Sequence, residues 1–97
     1  MSETVIVEME AKPEEINNII GAFKEALKDT RTYEGNQGVE LFQNQENPGR
    51  MFLYETWESK EHHEKYLAWR TETGLIDALV SMLTVPPDIR YYHHLET

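Results

Sequence analysis

The sequence predicts an α+β domain of ferredoxin-like type, with elements in the order βαββαβ and helices on one face of an antiparallel sheet. Three observations carry this. Alternating strand patterns occupy Thr4–Glu10, Gly38–Gln45 and Arg50–Glu58. An apolar stripe at helical steps lies between the first and second of these. A tight turn, Asn47-Pro48-Gly49-Arg50, joins the second and third into a hairpin.

In the first strand Val5, Val7 and Met9 alternate with Ile6, Glu8 and Glu10, and β-branched residues suit a pleated surface. A helix then starts near Pro13, whose fixed φ fits a first helical turn. Glu14 and Glu15 complement the positive end of the helix dipole. Ile16, Ile19, Ile20, Phe23 and Leu27 recur at three- and four-residue steps and form one stripe, and Lys28 and Arg31 suit the helix end. Gly35 and Gly38 bracket the turn into the second strand, where Val39 and Leu41 face opposite to Glu40 and Phe42. At the hairpin, Pro48 presets the first central position, and Gly49 is expected to take a positive φ at the second.

On the third strand Met51, Leu53, Glu55 and Trp57 share one face, and Phe52, Tyr54 and Thr56 the other. Apolar groups on both faces predict that both are at least partly covered. Ser59 is a good N-cap for the next helix, which runs to about Arg70, with a break at Gly74. A second stripe follows through Leu75, Leu79 and Met82 or Leu83. Pro86-Pro87 ends it, and Ile89–Leu95 reads as the last strand.

With 97 residues the chain reads as one domain, residues 1–97, large enough for a small core. A bare apolar sheet face on so small a protein predicts burial against a second subunit, so a homodimer is expected. The net charge of −9 opposes binding to nucleic acid or to an anionic membrane, both of which need a basic surface. There are no cysteines, which excludes disulfides, thiolate catalysis, iron–sulfur clusters and cysteine-based zinc sites. No apolar run reaches membrane-spanning length and no basic-then-apolar leader opens the chain, so a cytoplasmic protein is expected. No glycine-rich phosphate loop is present.

Several short motifs occur in a fixed order: Lys12-Pro13, Thr30-Arg31 before Gly35, Gly38-Val-Glu-Leu41, Asn47-Pro48, Phe52-Leu-Tyr-Glu-Thr-Trp57, Ser59-Lys-Glu61 and Tyr66-Leu-Ala68. In this order and spacing the chain resembles the antibiotic biosynthesis monooxygenase (ABM) family over nearly its whole length. The resemblance implies a dimeric α/β barrel, two four-stranded sheets packed face to face, with a pocket between each sheet and its own helices. Some members oxidise hydroquinone-like aromatics with O₂ and use neither metal nor flavin. Others degrade haem or process a small signalling molecule, so the resemblance fixes fold better than reaction. Haem is disfavoured here: that branch uses an asparagine on the first strand and a histidine on the later helix, and this chain has neither.

Trp57 matches the family's third-strand tryptophan. It stands as pocket wall and N–H donor to a substrate oxygen, against a reading as core aromatic. Glu55, two residues earlier on the same face, stands as a base of raised pKa, against a buried glutamate bonded to backbone or to an arginine. His63, Tyr66 and Arg70 share a helix face at i, i+3 and i+7. Many relatives carry a histidine near the position of Tyr66, which here could hydrogen-bond a phenolic substrate. His62 points about 100° away from His63, so the two do not readily chelate one ion. Arg70 either clamps an anionic substrate or pairs at the surface with Glu72 or Asp77. His93 and His94 are expected on opposite faces of the last strand, with Tyr91 on the His93 side.

The leading expectation is a cofactor-independent monooxygenase acting on a small quinol or dihydroxy-aromatic with O₂. Trp57, Glu55, His63, Tyr66 and Arg70 are its candidate site, with no cofactor and no metal. The alternatives are an isomerase of a small hydroxy-ketone and a non-catalytic small-molecule-binding dimer.

Overall fold

A computed structural model describes residues 2–97. Strand β1 (Glu3–Glu10) leads through a short 3₁₀ turn (Pro13–Glu15) into helix α1 (Ile16–Thr32). The hairpin of β2 (Asn36–Gln43) and β3 (Arg50–Trp57) follows. Helices α2 (Lys60–Thr73) and α3 (Leu75–Ser81) then lead to β4 (Asp88–Tyr92). The sheet order is β2-β3-β1-β4 and every neighbouring pair is antiparallel. This is the ferredoxin-like arrangement expected from the sequence.

The alternation in β1 and β3 decides which residues are inside. Val5, Val7 and Met9 of β1 and Met51, Leu53, Glu55 and Trp57 of β3 are buried under the helices. Val39 of β2 and the stripe residues Ile19, Phe23 and Leu27 of α1 complete this layer. Each such aliphatic or aromatic side chain contributes about 1.5–3 kcal/mol by leaving water. After α3 the chain runs back beside the end of β1. Ala11 bridges to Leu83, and the Thr84 amide donates to the Glu10 carbonyl at 2.9 Å.

The caps behave as their chemistry requires. The Ser59 hydroxyl accepts from the His62 amide at 3.1 Å. Gly74 adopts φ +85° and donates to the carbonyls of Arg70 and Thr71, closing α2 in a left-handed cap. Gly35, at φ +91°, also lies under His62, where a methyl group would overlap the imidazole ring. Positive φ and close approach together restrict this position to glycine.

Three expectations are corrected. Gly49 does not take a positive φ; only Gly35 and Gly74 do among the described glycines. Its lack of a side chain serves packing instead, because a Cβ there would stand 3.1 Å from the Ala11 carbonyl, whose residue's amide donates to Gly49. β2 starts at Asn36 and ends at Gln43, not at Gly38 and Gln45. A bulge between Asn36 and Gly38 admits one extra residue, Gln37, and the Asn44 side chain accepts from the amides of Glu46 and Asn47 to start the turn. β4 ends at Tyr92, opposite Thr4, where its ladder with β1 stops. His93 and His94 therefore lie beyond the strand, exposed, and have no strand face to point from.

The second sheet face is open. Phe42 and Tyr54 are each 47% exposed, Phe52 and Tyr92 are also exposed, and the Phe42 and Phe52 rings stack at 5.1 Å.

Candidate functional site

Residues two apart on a strand point the same way, so β3 presents Glu55 and Trp57 together beneath α2. The Trp57 indole N–H donates to Glu55 Oε1 at 2.7 Å. Glu55 is 3% exposed and, among the described residues, bonds neither to backbone nor to an arginine. Burial pushes its carboxyl up from 4.5 to about 7, against the opposing pull of the indole hydrogen bond.

His63 lies one turn into α2 and is 1% exposed. Its Nδ1 is 2.8 Å from the Tyr91 hydroxyl. Its Nε2 is buried without a hydrogen-bond partner among the described residues and lies 3.7 Å from Glu55 Oε1, too long for a hydrogen bond. Burial pushes the imidazole down from 6.5 to about 4. Desolvation thus disfavours charge on both groups. Near neutral pH the histidine is uncharged and the carboxyl is close to its midpoint, so the contact is an acid–base pair rather than an ion pair.

Two turns along α2, Tyr66 and Arg70 form a second polar group with α1. Arg70 Nε donates to the Tyr66 hydroxyl at 2.8 Å, and its Nη2 donates to the Ala26 carbonyl at 2.7 Å and to Thr30 Oγ1 at 3.2 Å. The Tyr66 and Thr30 hydroxyls are 2.6 Å apart. The Arg70 guanidinium also lies 4.4 Å from the Trp69 ring centre, a cation–π contact. Arg70 is buried, and among the described residues its hydrogen bonds go to Tyr66, Ala26 and Thr30, not to Glu72 or Asp77. The surface pairing considered from the sequence does not form, because α2 turns this face onto α1.

Between the sheet and the three helices lies a cavity of about 70 Å³. Its walls are chiefly apolar, among them Val7, Phe23, Leu53, Leu79 and Ile89, and its polar members are Glu55, His63, Tyr66 and Arg70. Trp57 is not on the wall. It is fully buried behind Glu55, packed edge-on against His63 and tilted on Tyr66. Its N–H is taken by Glu55, so the direct donation to a ligand considered from the sequence is unavailable in this arrangement. Trp57 acts on the cavity through the carboxylate it holds.

Thr30 and Tyr91, neither of them a candidate from the sequence, join the site through hydrogen bonds to Tyr66, Arg70 and His63. Thr30 looks like an ordinary residue near a helix end. Tyr91 carries one usable signal, since it alternates with Ile89 toward the helices. No group of three or more His, Asp or Glu residues spaced to hold a metal ion occurs among the described residues.

Fold and site together define a small α+β domain with an ionisable, mostly apolar cavity beneath its helices. The model of the antibiotic biosynthesis monooxygenase family matches residues 3–71, and the chain belongs to that family. Among curated proteins nothing matches. A conserved protein from Methanosarcina mazei Go1 is similar in structure, with TM-score 0.89 and 19% identity over 98% of this chain and 94% of that one. A structure described as an antibiotic biosynthesis monooxygenase gives TM-score 0.87 and 20% identity over 97% and 99% of the two chains. A candidate antibiotic biosynthesis monooxygenase from Deinococcus radiodurans gives 0.85 and 21% over 98% and 94%. At these identities the likeness establishes the fold alone.

Proposed function

We propose that this protein is a cytoplasmic monooxygenase that oxidises a small quinol or dihydroxy-aromatic with O₂ and needs no bound cofactor. The observation that carries the reading is the Glu55–His63 pair, 3.7 Å apart on one apolar cavity. Glu55, poised near neutrality, takes a phenolic proton. The resulting anion is electron-rich enough to reduce O₂ in a site that excludes water. One oxygen atom becomes bonded to the ring and the other leaves as water, with all electrons drawn from the substrate. The chain's own contribution is desolvation, orientation and proton acceptance. Trp57 fixes the carboxylate, Tyr66 orients a substrate oxygen, and Arg70 stabilises negative charge.

The cavity is small for this purpose. A pocket of about 150 Å³ accommodates benzene, so a quinol needs the site to open. Helix α3 supplies several wall residues, buries none of them fully, and hangs from the left-handed Gly74. It is the natural element to swing outward. A dimer formed through the open sheet face is part of the same proposal, since the Phe42–Phe52 stack and Tyr54 are otherwise left in water.

The test is oxygen uptake over a panel of quinols, corrected for autoxidation. Enzyme-dependent uptake that is lost in Glu55→Gln supports the reading; no uptake above autoxidation across the panel refutes it. The same acid–base pair also suits isomerisation of a hydroxy-ketone, and turnover that persists without oxygen would favour that chemistry.

A further inference from the structure

Arg70 is 6% exposed and faces the cavity, yet no carboxylate of the described chain lies within 4 Å of it. Its hydrogen bonds go to neutral acceptors: a phenol, a threonine hydroxyl and a backbone carbonyl. The Nη1 amino group donates to none of the described residues' acceptors. A buried cation without a counter-charge is costly, because neutral dipoles replace only part of its hydration. This is notable in a chain with 18 acidic residues and 9 basic ones, where a partner would be easy to supply. The other titratable groups on the cavity wall are Glu55, His63 and Tyr66. Tyr66 accepts from Arg70 through its hydroxyl, and Glu55 is bonded instead to Trp57.

The positions also set a distance. His63 and Arg70 are seven residues apart on α2, about 10 Å along the helix axis. Tyr66 occupies the turn between them, with its ring centre 6.3 Å from that of His63 and 5.3 Å from the guanidinium carbon. The cavity therefore has a proton-accepting end and a cationic end, with Tyr66 between them.

We propose that the ligand of this cavity is an elongated aromatic acid. Its carboxylate pairs with Arg70, and its hydroxylated ring lies toward Glu55 and His63. The inference rests on the reading of the cavity as the substrate site, and it assigns to Arg70 the choice of ligand charge. A carboxylate suits this guanidinium because Nη1, the amino group without an acceptor, is left to donate a charge-assisted hydrogen bond to it.

The experiment is equilibrium binding to the full chain by calorimetry, with probes that O₂ does not oxidise. The probes are 3-(4-hydroxyphenyl)propanoate, its neutral amide, and the shorter 4-hydroxybenzoate. The propanoate is expected to bind at least about tenfold tighter than its amide, a 1.4 kcal/mol difference, and tighter than the benzoate. Arg70→Gln is expected to abolish the preference for the acid over the amide, and Arg70→Lys to retain part of it. Equal binding of acid and amide to the wild-type protein overturns the proposal, as does no binding of either, or an acid preference that survives Arg70→Gln. Should the glutamine variant not fold, the wild-type pair of probes decides alone. Quinol oxidation accompanied by equal binding of acid and amide would refute this inference and leave the oxidation reading standing. An acid preference without oxygen uptake would do the reverse.

Discussion

Replacing Glu55 by glutamine tests the electrostatic reading of the site directly. The folded state holds the Glu55 carboxyl at about 7, whereas its ordinary value is 4.5. Between these values the folded chain keeps a proton that the unfolded chain releases, so stability falls as pH rises. The loss is complete above about pH 7 and amounts to about 3 kcal/mol. His63 works in the opposite sense. Its imidazole falls from 6.5 to about 4, so its contribution is fully present above pH 6.5 and is lost as pH falls toward 4. From pH 4.5 to 6.5 the two slopes oppose each other and largely cancel.

Glu55→Gln removes one slope and keeps the shape, because the amide oxygen still accepts from the Trp57 N–H. Relative to wild type, the variant is expected to gain stability progressively from pH 4.5, reaching about 3 kcal/mol by pH 8. Surface carboxylates titrate alike in both proteins and drop out of the difference. Urea denaturation at fixed protein concentration at pH 4.5, 5.5, 6.5 and 8 measures it. A difference that stays constant across this range, or one that grows in favour of wild type, refutes the reasoning. In the oxygen-uptake assay the same substitution is expected to lower the rate by about 10²–10⁴-fold, as loss of a general base does.

Two further outcomes follow from the geometry. Trp57→Phe removes the hydrogen bond that favours the charged form of Glu55, so its titration midpoint is expected to rise above about 7; carboxyl chemical shifts followed through a pH titration check this, and an unchanged midpoint contradicts it. Phe52→Glu places a charge on the open sheet face beside Phe42 and across from Glu8, and it is expected to convert a dimer to monomers. Sedimentation velocity at micromolar concentration decides, and a wild-type protein already monomeric there removes the dimer from the proposal.

Much of this molecule was legible in its sequence for a simple reason: strand and helix periods differ. Val5, Val7 and Met9 at period two, and Ile16, Ile19, Phe23 and Leu27 at helical steps, each indicated one buried face. The face shared by His63, Tyr66 and Arg70 follows from the same arithmetic, and the helix buries that face. Features set by a neighbour were not legible. Ile89–Leu95 has the pattern of a full strand, yet β4 stops at Tyr92, opposite Thr4, because a strand extends only as far as its ladder with its neighbour. Gly49 sits where a turn suggests positive φ, but its size matters for the close approach of Ala11.

The sequence by itself determined the order of elements, the hairpin, the inward side of each strand and the helix face that meets the sheet. These depend on local conformational preference and on periodic burial, both written in neighbouring residues. Only the tertiary structure decided what the polar residues do. It gave the Trp57 N–H to Glu55, brought His63 between Glu55 and Tyr91, and turned Arg70 from a surface candidate into a buried cation bound to α1. Charge and hydrogen bonding depend on distance and desolvation between segments far apart in the chain, and no local pattern records them.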